Sequence, residues 1–108
     1  MAAKIVLGIN NGFAMKNWPE PEAWAQIVSK DLGLQVVQHS FDLLDPMTPE
    51  PGRSLLCEEV VRAVKKHGLT LHSTFTGLII YAQNHLAHPN PIVRHQAFLW
   101  FQAALEVS

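Results

Sequence analysis

The sequence predicts an α/β fold of three consecutive strand-then-helix units with parallel strands. Three observations agree on it: short Ile/Val/Leu runs alternate with longer amphipathic stretches, glycines close the helical stretches, and strand starts recur at a near-constant interval. The first strand is read over Lys4–Ile9, closed by the turn sequence Asn10-Asn11-Gly12. Pro19 and Pro21 suit a helix start, Trp24, Ile27, Val28 and Leu32 follow at helical spacing, and Gly33 provides a left-handed stop. A second, partly buried strand spans Leu34–Phe41, and three prolines between Asp42 and Gly52 exclude regular structure. The second helix begins near Ser54 with Leu56, Val60, Ala63 and Val64 as its apolar stripe. Lys65, Lys66 and His67 sit where cations favour the helix dipole, and Gly68 ends it. Leu69–Phe75 reads as the third strand and Thr76–Pro89 as a long connection, after which Asn90-Pro91 supplies an N-cap followed by a first-turn proline. Val93, Ala97, Trp100, Phe101, Ala104 and Leu105 mark a buried stripe on a last helix running almost to Ser108.

The units are therefore residues 1–33, 34–68 and 69–108. Strand starts at Lys4, Leu34 and Leu69 lie 30 and 35 residues apart, and an eight-unit barrel of roughly 250 residues allots about 31 to each unit. The rhythm predicts a partial (β/α)8 TIM barrel, three units of eight, with the chain an N-terminal fragment of one barrel domain. The alternative is a small complete three-layer domain. Its three parallel strands would leave two long edges unpaired and little sheet for the Trp and Phe stripe to cover.

Composition narrows the function classes. With 108 residues, 48% hydrophobic, 16% charged and a net charge of −1, the chain has apolar surface for one core but no basic footprint for a phosphate backbone, so nucleic acid is not expected as a partner. The single cysteine, Cys57, excludes an internal disulfide and reads as a packed thiol in the second helix. The amino terminus lacks a secretory apolar run, and Gly77–Ala82 is far short of the ~20 residues of a membrane span. A cytoplasmic protein without a membrane partner is expected.

Parallel α/β folds bind ligands at the carboxyl ends of their strands. Strand one delivers Asn10 and Asn11 there, strand two His39, Ser40 and Asp42, and strand three His72, Ser73 and Thr74, which predicts a single polar rim. His39 and His72 each fit a general acid or base, a substrate hydrogen bonder, or a satisfied core histidine. Asp42 fits an imidazole orienter, a hydroxyl ligand or an ordinary turn residue. Ser73 and Thr74 lack a nucleophile elbow and read as substrate-binding hydroxyls. Phe75 and Tyr81 in the long third connection are candidates to wall a pocket. His85 and His88 are only two ligands in a proline-bounded loop, a weak metal signal read as surface histidines. Neither a Walker lysine nor dinucleotide glycine spacing accompanies Gly8-Ile9-Asn10-Asn11-Gly12.

The segment His72-Ser73-Thr74-Phe75-Thr76-Gly77, followed by Tyr81, Asn84, His88-Pro89-Asn90-Pro91, Arg94 and Trp100, resembles the third unit of xylose-isomerase-like TIM-barrel sugar and sugar-phosphate isomerases and epimerases. Lys4–Ala14 and Val37-Gln38-His39-Ser40-Phe41-Asp42 are similar to that family's first two units. The resemblance implies aldose–ketose isomerisation or ketose epimerisation by enediol-type proton transfer. It also implies a divalent Mn, Mg, Zn or Co ion in the full-length parent and a sugar or sugar phosphate as substrate. Metal ligands and acid/base carboxylates belong to later strands in that family. Glu58, Glu59 and Glu106 lie on helices and take none of those roles, so no catalytic or metal-binding residue is assigned and the chain alone is expected to be inactive. Substrate contacts are expected from Asn10, His39, Asp42, His72, Ser73, Thr74, Tyr81 and Asn84. A second reading is a noncatalytic half-barrel module that self-associates through exposed sheet edges. A third, the DNA-repair endonucleases of the same superfamily, is opposed by the charge.

Overall fold

A computed structural model describes residues 4–78, 80 and 85–108. Three strands, β1 (Gly8–Asn10), β2 (Val36–Ser40) and β3 (Thr70–Phe75), form one parallel sheet in chain order. Helix α1 (Pro21–Gln26) runs on into a π-helical turn, Ile27–Asp31. Helices α2 (Gly52–Lys66) and α3 (Pro91–Val107) follow the second and third strands. The strand–helix alternation predicted from the sequence is thus present.

Local chemistry set most boundaries. Gly33 and Gly68 stop the first two helices at φ +64° and +67°. Asn90 caps α3 by accepting from the Ile92 N–H at 2.8 Å, with Pro91 in the first turn. Strand one is shorter than expected: Lys4–Leu7 carry no strand pairing, because β2 begins opposite Gly8. Ile5, Val6 and Leu7 are 91%, 68% and 71% exposed. Strand two is trimmed to Val36–Ser40, since Ser40 turns the chain into a 3-10 turn, Phe41–Leu43, by accepting from the Asp42 N–H. Helix α2 starts two residues before Ser54, and Leu56 faces outward.

The core lies on one face of the sheet. Trp24, Ala25 and Val28 from the first helix meet Val37 of the central strand and Val60, Ala63 and Val64 of α2. Fully burying a valine-sized side chain such as Val28 or Val37 contributes about 1.5–3 kcal/mol. Lys66 and His67 are tied to Glu22 at 2.8 and 2.9 Å, joining the end of α2 to the start of α1 and holding the Glu22 carboxyl below the usual carboxylate range. On α3 the buried positions are Ala97, Ala103 and Ala104, Trp100 and Phe101 are half-buried, and Leu105 points outward, so the apolar stripe is narrower than predicted. Among the described residues no helix is long and apolar enough to cross a membrane.

Candidate functional site

Side chains alternate across a strand, so the polar residues at the strand ends divide between two faces, with His72 and Ser73 lining a cavity on each. The face opposite the core carries Asn10, Gln38 and Ser73, which with Val6, Gly8 and Val36 line a groove of about 600 Å³. These residues form a continuous hydrogen-bonded row across all three strands. The Gly12 N–H donates to Asn10 Oδ1 at 2.7 Å, Asn10 Nδ2 donates to Gln38 Oε1 at 3.0 Å, and Gln38 Nε2 donates to Ser73 Oγ at 3.1 Å. His72 Nδ1 lies 3.2 Å from the same hydroxyl.

A bulge places His72 there. The β2–β3 register pairs Val37 with Leu71 but Gln38 with Ser73, which leaves His72 as an extra residue on β3. Without it, alternation would turn Ser73 away from Gln38. The row is uncharged, and its atoms are hydroxyl, amide and imidazole groups suited to hydrogen-bonding other hydroxyls.

The core face carries a second network. Asn11, fully buried, accepts from the Ser40 N–H at 2.7 Å and faces His39 Nδ1 at 2.9 Å. His39 is 5% exposed, beside the rings of Trp24 and Phe41, and burial pushes its pKa down to about 4. His39 Nε2 and Trp24 Nε1 are buried without a partner among the described residues. His39 is thus packed among core rings with Nδ1 bonded, yet it is not a fully satisfied core histidine, and it lines a cavity of about 470 Å³ with His72, Ser73 and Thr74.

Asp42 ties two loops together. Its carboxylate accepts from the Leu78 N–H at 2.9 Å and from Ser40 Oγ at 3.2 Å. Gly77 is required beside it: its φ is +94°, and a Cβ there would stand 2.5 Å from Asp42 Oδ1. Thr74 leaves the row as well, its hydroxyl 2.9 Å from that of Ser108. Tyr81, Asn84 and the side chain of His85 lie outside the described residues. His88 Nδ1 accepts from the Asn90 N–H at 3.0 Å, a loop-shaping bond.

Of the predicted contacts, the structure brings Asn10, Ser73 and His72 together along the groove, gathers His39, Thr74, His72 and Ser73 around the second cavity, of about 470 Å³, beside α2, and sets Asp42 apart from both. Sequence reasoning missed Gln38, the centre of the row. Strict alternation from Val37 and His39, both on the core face, was the available signal for it. Among the described residues no three His, Cys, Asp or Glu side chains converge on a metal position. A hard divalent cation requires several converging oxygen or nitrogen ligands, so these residues do not fit one and no step is derived through one.

No family model matches the chain. It is 25% identical over 104 residues to D-erythrulose 1-phosphate 3-epimerase of Brucella abortus (strain 2308), a match covering 95% of this chain and 33% of that protein. Its fold superposes with a TM-score of 0.87 on a crystal structure provisionally named a xylose isomerase, from Rhodospirillum rubrum ATCC 11170. That match has 36% identity and covers 96% of this chain and 35% of the other. The chain thus spans about a third of the length of each of these two proteins.

Proposed function

We propose that this chain, which shares sequence and fold over nearly its whole length with part of a xylose-isomerase-like barrel, supplies one wall of the sugar site in an isomerase or epimerase of sugars or sugar phosphates. The observation carrying this reading is the uncharged hydrogen-bonded row Asn10–Gln38–Ser73 on the helix-free face of the sheet. In a closed barrel that face turns inward, where a polyol's hydroxyls would meet it.

The reaction class is proton removal from the carbon beside a carbonyl, passage through an enediol, and return of a proton to the neighbouring carbon or to the other face of the same carbon. Residues of this chain hold and orient hydroxyls in that scheme. The proton-transferring carboxylates and the Mn, Mg, Zn or Co ion are assigned to later units, so the chain alone is inactive.

The test is a chimera in which this chain replaces the matched third of the Brucella epimerase, assayed on D-erythrulose 1-phosphate in D2O. Deuterium should enter at carbon 3, and Asn10→Ala should lower kcat/KM about tenfold, the loss of one hydrogen bond of about 1–1.5 kcal/mol. A folded chimera that incorporates no deuterium overturns the proposal.

One observation favours a second reading. Ile5, Val6 and Leu7 stand exposed beside the free edge of β1, a template for a second copy in a noncatalytic module. Sedimentation of the chain as a stable dimer dissociated by a charge at Val6 would support that module. A monomer at all concentrations removes it.

A further inference from the structure

We propose that Gln38 is the positioning residue of the inner wall: through Ser73 it holds the neutral imidazole of His72 with its proton on Nε2, presenting a hydrogen-bond donor to a ligand hydroxyl or carbonyl oxygen. The purpose of this arrangement rests on the sugar-site reading, whereas its geometry does not.

The direction of each bond as far as Ser73 follows from groups that can only donate. The Gly12 backbone N–H takes Asn10 Oδ1, which turns the Asn10 amide nitrogen toward Gln38. That nitrogen can only donate, so it meets Gln38 Oε1 and leaves Gln38 Nε2 facing Ser73. Nε2 again only donates, so Ser73 Oγ accepts from it and keeps its hydrogen free, and we assign that hydrogen to His72 Nδ1 at 3.2 Å. A ring nitrogen that accepts carries no proton, so the neutral ring bears it on Nε2.

The β-bulge makes this possible, because with the extra residue His72 and Ser73 both line the groove that Asn10 and Gln38 line. Asn11 repeats the device on the buried face. The Ser40 N–H takes its Oδ1, its Nδ2 donates to His39 Nδ1, and His39 too is left with Nε2–H. Two adjacent asparagines thus each pass the polarity of a backbone N–H to a histidine, one outward and one into the core.

The free chain tests this at about pH 8.5, where neutral imidazole dominates, by long-range 1H–15N spectra that distinguish protonated from bare ring nitrogens. His72 should show Nε2–H. Gln38→Glu substitutes a carboxylate that only accepts, so the Ser73 hydroxyl turns to it and His72 Nδ1–H donates to Ser73. The ratio of Nε2–H to Nδ1–H should then fall at least about tenfold. Ser73→Ala, which removes the relay without reversing it, should lower the ratio about fivefold.

His39 should keep Nε2–H throughout and so reports an intact fold in the same spectrum. An unchanged His72 ratio in Gln38→Glu with His39 undisturbed overturns the proposal. Where Gln38→Glu disturbs His39, Ser73→Ala decides: an unchanged ratio there overturns it equally. A failed tautomer test leaves the isomerase reading standing, while a silent chimera beside an Nε2–H His72 removes that reading and leaves the positioning role.

Discussion

Acidification should destabilise this chain through one side chain, His39. In the unfolded chain an imidazole titrates near 6.5; in the fold, burial lowers it to about 4. The unfolded state therefore binds the extra proton first, and stability falls as pH drops. The contribution of His39 is complete above about pH 6.5 and is lost progressively toward pH 4. At roughly 1.36 kcal/mol per pH unit the gap is worth about 3 kcal/mol, a large part of the 5–15 kcal/mol typical of a domain. With an m-value of about 1.5 kcal/mol/M it should move the urea midpoint by about 2 M.

The assay is urea unfolding from pH 7 to pH 4 on the wild type and on His39→Asn, whose side-chain carbonyl can still accept from Asn11 but does not titrate. Glu22 and Glu50, whose carboxyls are held low by Lys66 and His67 and by Ser54 and Arg53, lose their contributions equally in both proteins. The difference between the two curves isolates His39. Parallel curves would refute the burial argument.

Asn11→Ala should cost about 3 kcal/mol, because it strips a buried N–H and a buried ring nitrogen of their partner; thermal melts check it, and a shift corresponding to under about 1 kcal/mol contradicts the network. Gly77→Ala should cost about 2 kcal/mol or more, combining a positive φ with a clash on Asp42, and should raise hydrogen exchange at the Leu78 amide. The same amide should exchange faster in Asp42→Asn only if the amide nitrogen of the new side chain turns toward it, so retention of protection there identifies an oxygen facing Leu78. The His72 tautomer and the deuterium uptake of the chimera are the tests of function.

The segments that local chemistry decides were legible in the sequence. Gly33, Gly68 and Asn90-Pro91 announce helix ends by conformation and capping, without reference to distant residues. The strand spacing likewise exposed the parallel sheet. What pairing decides was not legible. Lys4–Leu7 reads as a strand by composition, yet a strand needs a neighbour, and β2 begins only opposite Gly8. The bulge at His72 exists only in the register of β3 against β2.

Gln38 shows the same limit at the site. It is an ordinary strand residue until Asn10, 28 positions earlier, and Ser73, 35 later, are brought to its two sides. His39 was weighed as a site residue because it ends an apolar strand. Its share of the Val37 face was readable from alternation, but the depth of its burial depended on Trp24 and Phe41 closing over it. Asp42 and Thr74 follow the same logic, each consumed by a contact with a distant loop or helix end.

The central claim is that these three units provide a sugar-orienting wall while the proton-moving groups lie in units that complete the barrel. It is tested most directly by adding the chain in trans to the separately expressed remaining two-thirds of the Brucella epimerase and following deuterium uptake from D2O into D-erythrulose 1-phosphate. Neither polypeptide alone should exchange, and the mixture should, with a rate that saturates as the two associate. Exchange catalysed by this chain alone, or silence from a mixture that co-sediments as a complex, would contradict it.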